Sequence, residues 1–306
     1  MTEYVLTMED VTKSFVGSPA VDSLSASFPR GCIYGFLGPN GAGKTTTIRM
    51  VMDIIRPDSG QIELLGGVAP GQGKDRIGYL PEERGMYRKM KATDFLIFIG
   101  RLKGMSPSDA ANSASRWLAA LELDSRAGSK IEEYSRGMQQ KLQFATTVIN
   151  EPELLILDEP FSGLDPVNLE VVKQQMLALR ASGTTIIFST HMMEHAEKLC
   201  DRIMLINKGR KILDGTLEDI RSRGTDNVLL IETAADENEV AEMRGVQSAV
   251  RGQNTLSVTL DNDGNNREFL RSLLEKAEIR SFRVKTPSLH ETFVSLVSDE
   301  GDSDAE

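Results

Sequence analysis

Gly38-Pro39-Asn40-Gly41-Ala42-Gly43-Lys44-Thr45-Thr46 lies between an apolar run, Ile33 to Leu37, and an amphipathic segment, Thr45 to Arg56. The run reads as a buried strand. The segment reads as a helix, because Ile48, Val51, Met52 and Ile55 recur at helical spacing before Pro57 ends the pattern. A strand, a glycine-rich turn and a helix in this order form a phosphate loop of the Walker A kind. Gly38, Gly41 and Gly43 let backbone N–H groups turn inward as an anion nest, and the positive end of the helix dipole faces the same point. Lys44 is placed to reach the β- and γ-phosphates of a nucleoside triphosphate, and Thr45 to offer its hydroxyl to Mg2+. Pro39, Asn40, Ala42 and Thr46 complete the nucleotide-binding loop.

Two further apolar runs have the same form, Leu154 to Leu157 and Thr184 to Phe188. Runs this short and uniformly apolar suit parallel strands buried on both faces, and ligands in open α/β sheets bind just beyond the carboxyl ends of such strands. The first of the two enters Asp158-Glu159-Pro160, a Walker B pattern. Asp158 is read as the metal residue, and Glu159 as the carboxylate that polarises water for in-line attack on phosphorus. By itself Asp-Glu-Pro could also simply cap the next helix; the upstream phosphate loop favours the catalytic reading. The second run enters Ser189-Thr190-His191, where an imidazole could hydrogen-bond the γ-phosphate. His195, one turn later, is expected on a helix surface.

The length of 306 residues suggests about two domains. With 40% hydrophobic and 26% charged residues the composition is that of a globular protein. The 35 Lys+Arg against 45 Asp+Glu give a formal charge of −10, which argues against long-range attraction to nucleic acid or anionic lipid. Cys32 and Cys200 are far apart and lack metal-ligand spacing, so reduced buried thiols are expected, with a single disulfide as the alternative. Met1 to Val5 does not read as a secretory leader. No stretch approaches the roughly twenty apolar residues of a membrane span. Work at a membrane would therefore need another chain to cross it.

Between the two Walker segments lies Tyr134-Ser135-Arg136-Gly137-Met138-Gln139-Gln140-Lys141. This stretch resembles the Leu-Ser-Gly-Gly-Gln signature of the ATP-binding-cassette (ABC) ATPases, with Tyr134, Arg136 and Met138 departing from its commonest letters. Ser135 can also cap a helix whose apolar face is Met138, Leu142, Ala145 and Ile149. The resemblance covers about residues 1 to 220 and assigns Ser135 and Gly137 to γ-phosphate contact. It assigns Phe15 to adenine stacking, Asp165 of Ser162-Gly163-Leu164-Asp165 to the D-loop, and His191 to the switch histidine. It implies a P-loop NTPase core of the cassette type with a mixed sheet, and a helical subdomain over about 86–150. In Ile77-Gly78-Tyr79-Leu80-Pro81-Glu82-Glu83, Glu82 stands where the family usually has a glutamine; a carboxylate remains an adequate Mg2+ ligand. The family's arrangement further implies a head-to-tail dimer with a second copy or a related cassette, because the chain carries one copy of each element.

Beyond the hairpin of Arg202 to Asn207 and Arg210 to Leu213, the chain passes into a second pattern over 221–298. Strand Asn227 to Glu232, helix Glu237 to Met243, strands Val246 to Val250 and Thr255 to Leu260, helix Arg267 to Ala277, strand Ile279 to Lys285 and helix Ser288 to Val297 predict a small α+β domain of ferredoxin-like β-α-β-β-α-β order. Asn262-Asp263-Gly264-Asn265-Asn266 reads as a loop and 299–306 as an acidic, disordered tail. Pro287-Ser288-Leu289-His290-Glu291-Thr292-Phe293 resembles the closing segment of exporter cassettes with an appended domain. The expected activity is therefore ATP hydrolysis with ATP and Mg2+, coupled to a separate integral membrane permease on the inner face of the cell membrane, with no nucleic-acid partner. A soluble mechanical ATPase of translation or DNA repair is the competing class, but neither a second fused cassette nor a coiled-coil insertion is present. A nucleotide sensor without turnover is a third, and Glu159 argues against it.

Overall fold

A computed structural model of the chain describes residues 4–83, 85–222, 228–261, 266–285 and 288–294. It falls into two compact units, Met1–Leu217 and Glu218–Glu306. The first unit opens with β1 (Tyr4–Phe15) and β2 (Ser18–Pro29), followed by β3 (Ile33–Leu37), α1 (Lys44–Val51), β4 (Ser59–Leu64) and β5 (Ile77–Leu80). Three helices come next, α2 (Ala92–Leu102), α3 (Pro107–Ala120) and α4 (Arg136–Val148). The chain then alternates through β6 (Leu154–Asp158), α5 (Pro166–Ala181), β7 (Thr185–Thr190) and α6 (Met193–Leu199), ending in the hairpin β8 (Arg202–Asn207) and β9 (Arg210–Thr216).

Six strands form one mixed sheet in the order β5-β6-β7-β3-β8-β9, parallel except for the last pair. Every residue of β3, β6 and β7 is buried, which is why their sequences run apolar without alternation. At about 1.5–3 kcal/mol per buried aliphatic side chain, these strands anchor the unit. A second, antiparallel sheet of order β2-β1-β4 packs its apolar residues, among them Val5, Met8, Leu24 and Phe28, into one core with Tyr34, Ile48, Ile156 and Met204. That sheet escaped the sequence reading because its alternation is broken. The β1–β2 pairing shifts register repeatedly, and Asp10, Val16 and Ser23 have positive φ. Helix α1 is shorter than its pattern suggested: Asp53, at φ 54, turns the chain away, and Ile55 reaches the core from beyond the helix.

Helices α2 to α4 form the helical segment. Ser106 caps α3 by accepting from the Asp109 N–H at 3.1 Å, with Pro107 in the first turn. Trp117 of α3 meets Phe144 of α4 edge to face at 6.3 Å. No helix among the described residues is long and apolar enough to cross a membrane.

Helix α7 (Leu217–Ser222) leads to β10 (Val228–Thr233), α8 (Glu237–Ala241), β11 (Val246–Arg251), β12 (Leu256–Leu260), α9 (Asn266–Leu274) and β13 (Ile279–Val284). The sheet is antiparallel in the order β11-β12-β10-β13, so the β-α-β-β-α-β pattern read from the sequence is the one formed. Leu229, Ile231, Leu256, Val258 and Leu260 meet Val240, Phe269 and Leu273 in its core. Asn227, the loop 262–265, Pro287, the closing helix beyond 294 and the acidic tail lie outside the described residues.

Residues 289–294 are helical and begin with a capping box. Ser288 Oγ accepts from the Glu291 N–H at 3.2 Å, and Glu291 Oε2 accepts from the Ser288 N–H at 2.9 Å. Lys285 Nζ reaches Glu291 Oε1 at 2.6 Å. The Lys285 hydrogen bond and then the Ser288 N–H lower the Glu291 pKa from 4.5 to about 2. A depressed carboxylate pKa gives stability that is present above the unfolded value and lost as pH falls through the folded one. Thermal scans should therefore show the second unit losing stability between about pH 4.5 and pH 2 more steeply in the wild type than in Glu291→Gln. Parallel pH profiles for the two would remove this ion pair from the fold's stability.

Candidate functional site

The parallel register decides where the chemistry meets. Leu37 stands beside Thr190, and Asp158 beside Ser189, so the carboxyl ends of β3, β6 and β7 finish at one level. The phosphate loop, Asp158-Glu159 and His191 all emerge there. A cleft of about 330 Å³ opens at this edge, lined by Asn40 to Thr46, Ala20, Glu82 and Glu159.

The loop is held by close backbone approach. A Cβ on Gly38 would fall 2.3 Å from the Ile206 carbonyl oxygen, and one on Gly43 would fall 2.4 Å from that of Ala20. Gly43 sits at φ 104 as the residue preceding α1, and no side chain caps the helix, so its first N–H groups face the cleft uncapped. Lys44 is 6% exposed and donates to the carbonyls of Gly38 at 2.8 Å and Pro39 at 3.0 Å. Burial lowers its pKa, against the pull of Glu159, Asp158 and Glu82, in that order. Three carboxylates thus converge on one ammonium.

Asp158 is 1% exposed, and its two oxygens differ. Oδ1 accepts from Ser189 Oγ at 2.5 Å, while Oδ2 is buried with no hydrogen-bond partner. An orphaned carboxylate oxygen calls for a cation or a cation's water. With the Thr45 hydroxyl and the Glu82 carboxylate it makes a hard-oxygen set that fits Mg2+. Among the described residues no cluster of three or more His, Cys, Asp or Glu could hold a metal unaided.

Glu159 occupies the left-handed region at φ 50, a conformation costing on the order of 1–3 kcal/mol for a residue with a side chain. Its N–H donates to Ser189 Oγ at 3.1 Å and the Ser189 carbonyl at 3.3 Å. Its Oε1 accepts from the His191 N–H at 3.1 Å and lies 2.8 Å from His191 Nδ1, and Thr190 Oγ1 donates to Oε2 at 3.4 Å. The Glu159 side chain is 12% exposed and that of His191 is 51% exposed. Ser189 joins the site through its register position opposite Asp158, a pairing that the sequence alone does not show.

Ser135, Gly137 and Asp165 form a second cluster that does not line the cleft. Ser135 caps α4, accepting from the Met138 N–H at 3.2 Å. Gly137 faces the start of α5 closely enough that a Cβ would lie 3.2 Å from Asn168 Nδ2. Asp165 caps α5 through the N–H groups of Val167 at 3.0 Å and Asn168 at 2.9 Å. Phe15 also stands outside the cleft's lining, 49% exposed, with Lys13 Nζ 5.7 Å from its ring centre. The expectation of a surface position for His195 is corrected: it is half-buried, its ring edge-on to Phe161 at 5.3 Å, and its Nδ1 is buried without a partner. Both cysteines are free, and burial raises their pKa, that of Cys32 to about 11, so both remain thiols.

Residues 21–162 match the family described as ABC transporter, and residues 215–297 the ATP-binding protein DrrA1-3-like C-terminal domain. The chain is 40% identical to the uncharacterized ABC transporter ATP-binding protein YhaQ of Bacillus subtilis (strain 168), over 96% of this chain and 98% of that one. It is 32% identical to the linearmycin resistance ATP-binding protein LnrL of the same organism, covering 95% and 98% of the two chains. It is 34% identical to the daunorubicin/doxorubicin resistance ATP-binding protein DrrA of Streptomyces peucetius, covering 95% and 92%. A solved structure of an ATP binding subunit of an ABC transporter superposes with TM-score 0.66 at 29% identity, over 72% of this chain and 92% of that one.

A methyl group at Gly43 would meet a carbonyl and a forbidden φ together. Gly43→Ala should weaken ATP binding at least about tenfold, the equivalent of 1.4 kcal/mol, as read by calorimetry. Wild-type affinity would show that the loop yields there without cost.

Proposed function

The chain belongs to the ABC transporter family, as an ATP-binding subunit that hydrolyses ATP to drive transport and works with a separate transmembrane component, and from that premise we propose that it energises an exporter. The observation that carries the exporter reading is similarity to two resistance proteins along both units, the second unit included. The subunit works at the inner face of the cell membrane, held there by its permease.

In this reading ATP enters the cleft with its β- and γ-phosphates on the uncapped N–H groups of α1. Lys44 exchanges its bonds to the Gly38 and Pro39 carbonyls for phosphate oxygens, a stronger charge-assisted interaction. Thr45, Asp158 and Glu82 hold Mg2+, which when bound neutralises charge on the phosphates. Glu159 orients and polarises the attacking water, and His191 contacts the γ-phosphate. His191 and Glu159 are already within hydrogen-bond distance, so both respond to one event at the γ-position. Phe15 stacks on the adenine.

Ser135, Gly137 and Asp165 stand apart from the cleft within one chain, so their contact with nucleotide comes from the opposing subunit. Two cassettes, copies of this chain or one copy with a related cassette, then enclose two Mg-ATP, and closing and opening of the pair moves the permease. Binding and catalysis separate experimentally. Lys44→Ala should lower ATP affinity at least about tenfold by calorimetry, the loss expected when a charge-assisted contact of 1.5–3 kcal/mol is removed. Glu159→Gln should retain ATP binding, lower phosphate release at least about a hundredfold, and elute as a dimer in Mg-ATP. Normal phosphate release by Glu159→Gln would assign water activation to another group.

A further inference from the structure

Asp158 and Glu159 are adjacent in sequence but need different tasks and different surroundings, and one buried hydroxyl serves both. Ser189 is fully buried in β7, directly in register with Asp158 of β6. Its Oγ donates to Asp158 Oδ1 at 2.5 Å and accepts from the Glu159 N–H at 3.1 Å. A serine hydroxyl has one proton and two acceptor lone pairs, so this pairing uses the donor and one acceptor together. We propose that Ser189 is a positioning residue that selects the metal-facing oxygen of Asp158 and fixes the strained backbone of Glu159. The proposal rests on the metal role assigned to Asp158 above.

Three observations support it. First, Oδ1 is engaged and Oδ2 is buried without a partner, so the hydroxyl decides by elimination which oxygen stays free for a cation. Second, Glu159 holds φ 50, which persists only where the surroundings fix the backbone. The bonds from its N–H to Ser189 are the fixing contacts on the strand side, with His191 and Thr190 holding the carboxylate at the other end. Third, β6 and β7 are parallel neighbours, so residues in register share a face. The sheet topology, rather than a mobile loop, delivers the hydroxyl. Outer-shell partners of this kind typically change metal affinity or activity by about 10–100-fold when removed.

The experiment compares wild type, Ser189→Ala, Ser189→Cys, Ser189→Thr and Asp158→Asn. Three quantities are read: ATP affinity in excess chelator, binding of Mn2+ to protein saturated with a non-hydrolysable ATP analogue by electron paramagnetic resonance, and steady-state turnover. For Ser189→Ala, Mn2+ binding should weaken about tenfold or more and turnover should fall by a similar factor, with metal-free ATP affinity within about twofold of wild type. Ser189→Cys keeps the volume but replaces the hydroxyl with a weak donor, and should behave like Ser189→Ala; it carries the comparison if the alanine variant does not fold. Ser189→Thr keeps the hydroxyl and should restore Mn2+ binding to within about threefold of wild type. Wild-type Mn2+ binding in Ser189→Ala or Ser189→Cys, while Asp158→Asn weakens it, overturns the inference alone. Wild-type Mn2+ binding in Asp158→Asn overturns the metal role of Asp158 and the inference with it.

Discussion

The register of three parallel strands is the constraint on which the rest depends. Pairing of Leu37 with Thr190 and of Asp158 with Ser189 brings three sequence-distant segments to one edge. Strands buried on both faces cannot slide, because a shift of one residue would exchange every side chain between two packed layers. The core beneath the site therefore sets where its segments meet, although its residues are mostly in loops. Sequence distance is irrelevant to this geometry: about 150 residues part Lys44 from His191, while strand order makes β3 and β7 neighbours.

Around that edge the molecule accepts several local costs. Glu159 has positive φ, Lys44 is desolvated among backbone carbonyls, and one oxygen of Asp158 has no partner. Each is the kind of feature that accumulates where surroundings over-determine a conformation for use. The Lys44 contacts are one example, since two loop carbonyls occupy donors of the ammonium. In the proposed function, binding would exchange these neutral acceptors for charged ones.

Legibility in the sequence followed physical cause. β3, β6 and β7 were readable because double burial leaves an uninterrupted apolar signal, and the phosphate loop because its glycines answer to close carbonyls at Ile206 and Ala20. In the second unit β12 was readable because it alternates cleanly through Leu256, Val258 and Leu260, and β10 nearly so. The antiparallel sheet was not, since register shifts and positive-φ residues such as Asp10 and Ser23 break the period that reveals a strand. His195 was misplaced because a histidine on a short helix gives no sign of the Phe161 ring packed against it. Ser189 passed unremarked for a related reason: a small polar residue at a strand end has no meaning until its neighbouring strand is known.

Charge balance in the cleft follows from the same convergence. Glu159, Asp158 and Glu82 all act on Lys44, so a triphosphate approaching this edge meets three carboxylates and one ammonium. The N–H groups of α1 and the helix dipole favour the anion by an amount that falls off within a turn. In the proposed function Thr45, Asp158 and Glu82 would hold Mg2+, whose positive charge would then offset part of this negative charge. Glu82 sharpens the point. Where the resemblance leads one to expect a neutral amide, this chain places a further carboxylate at the cleft wall.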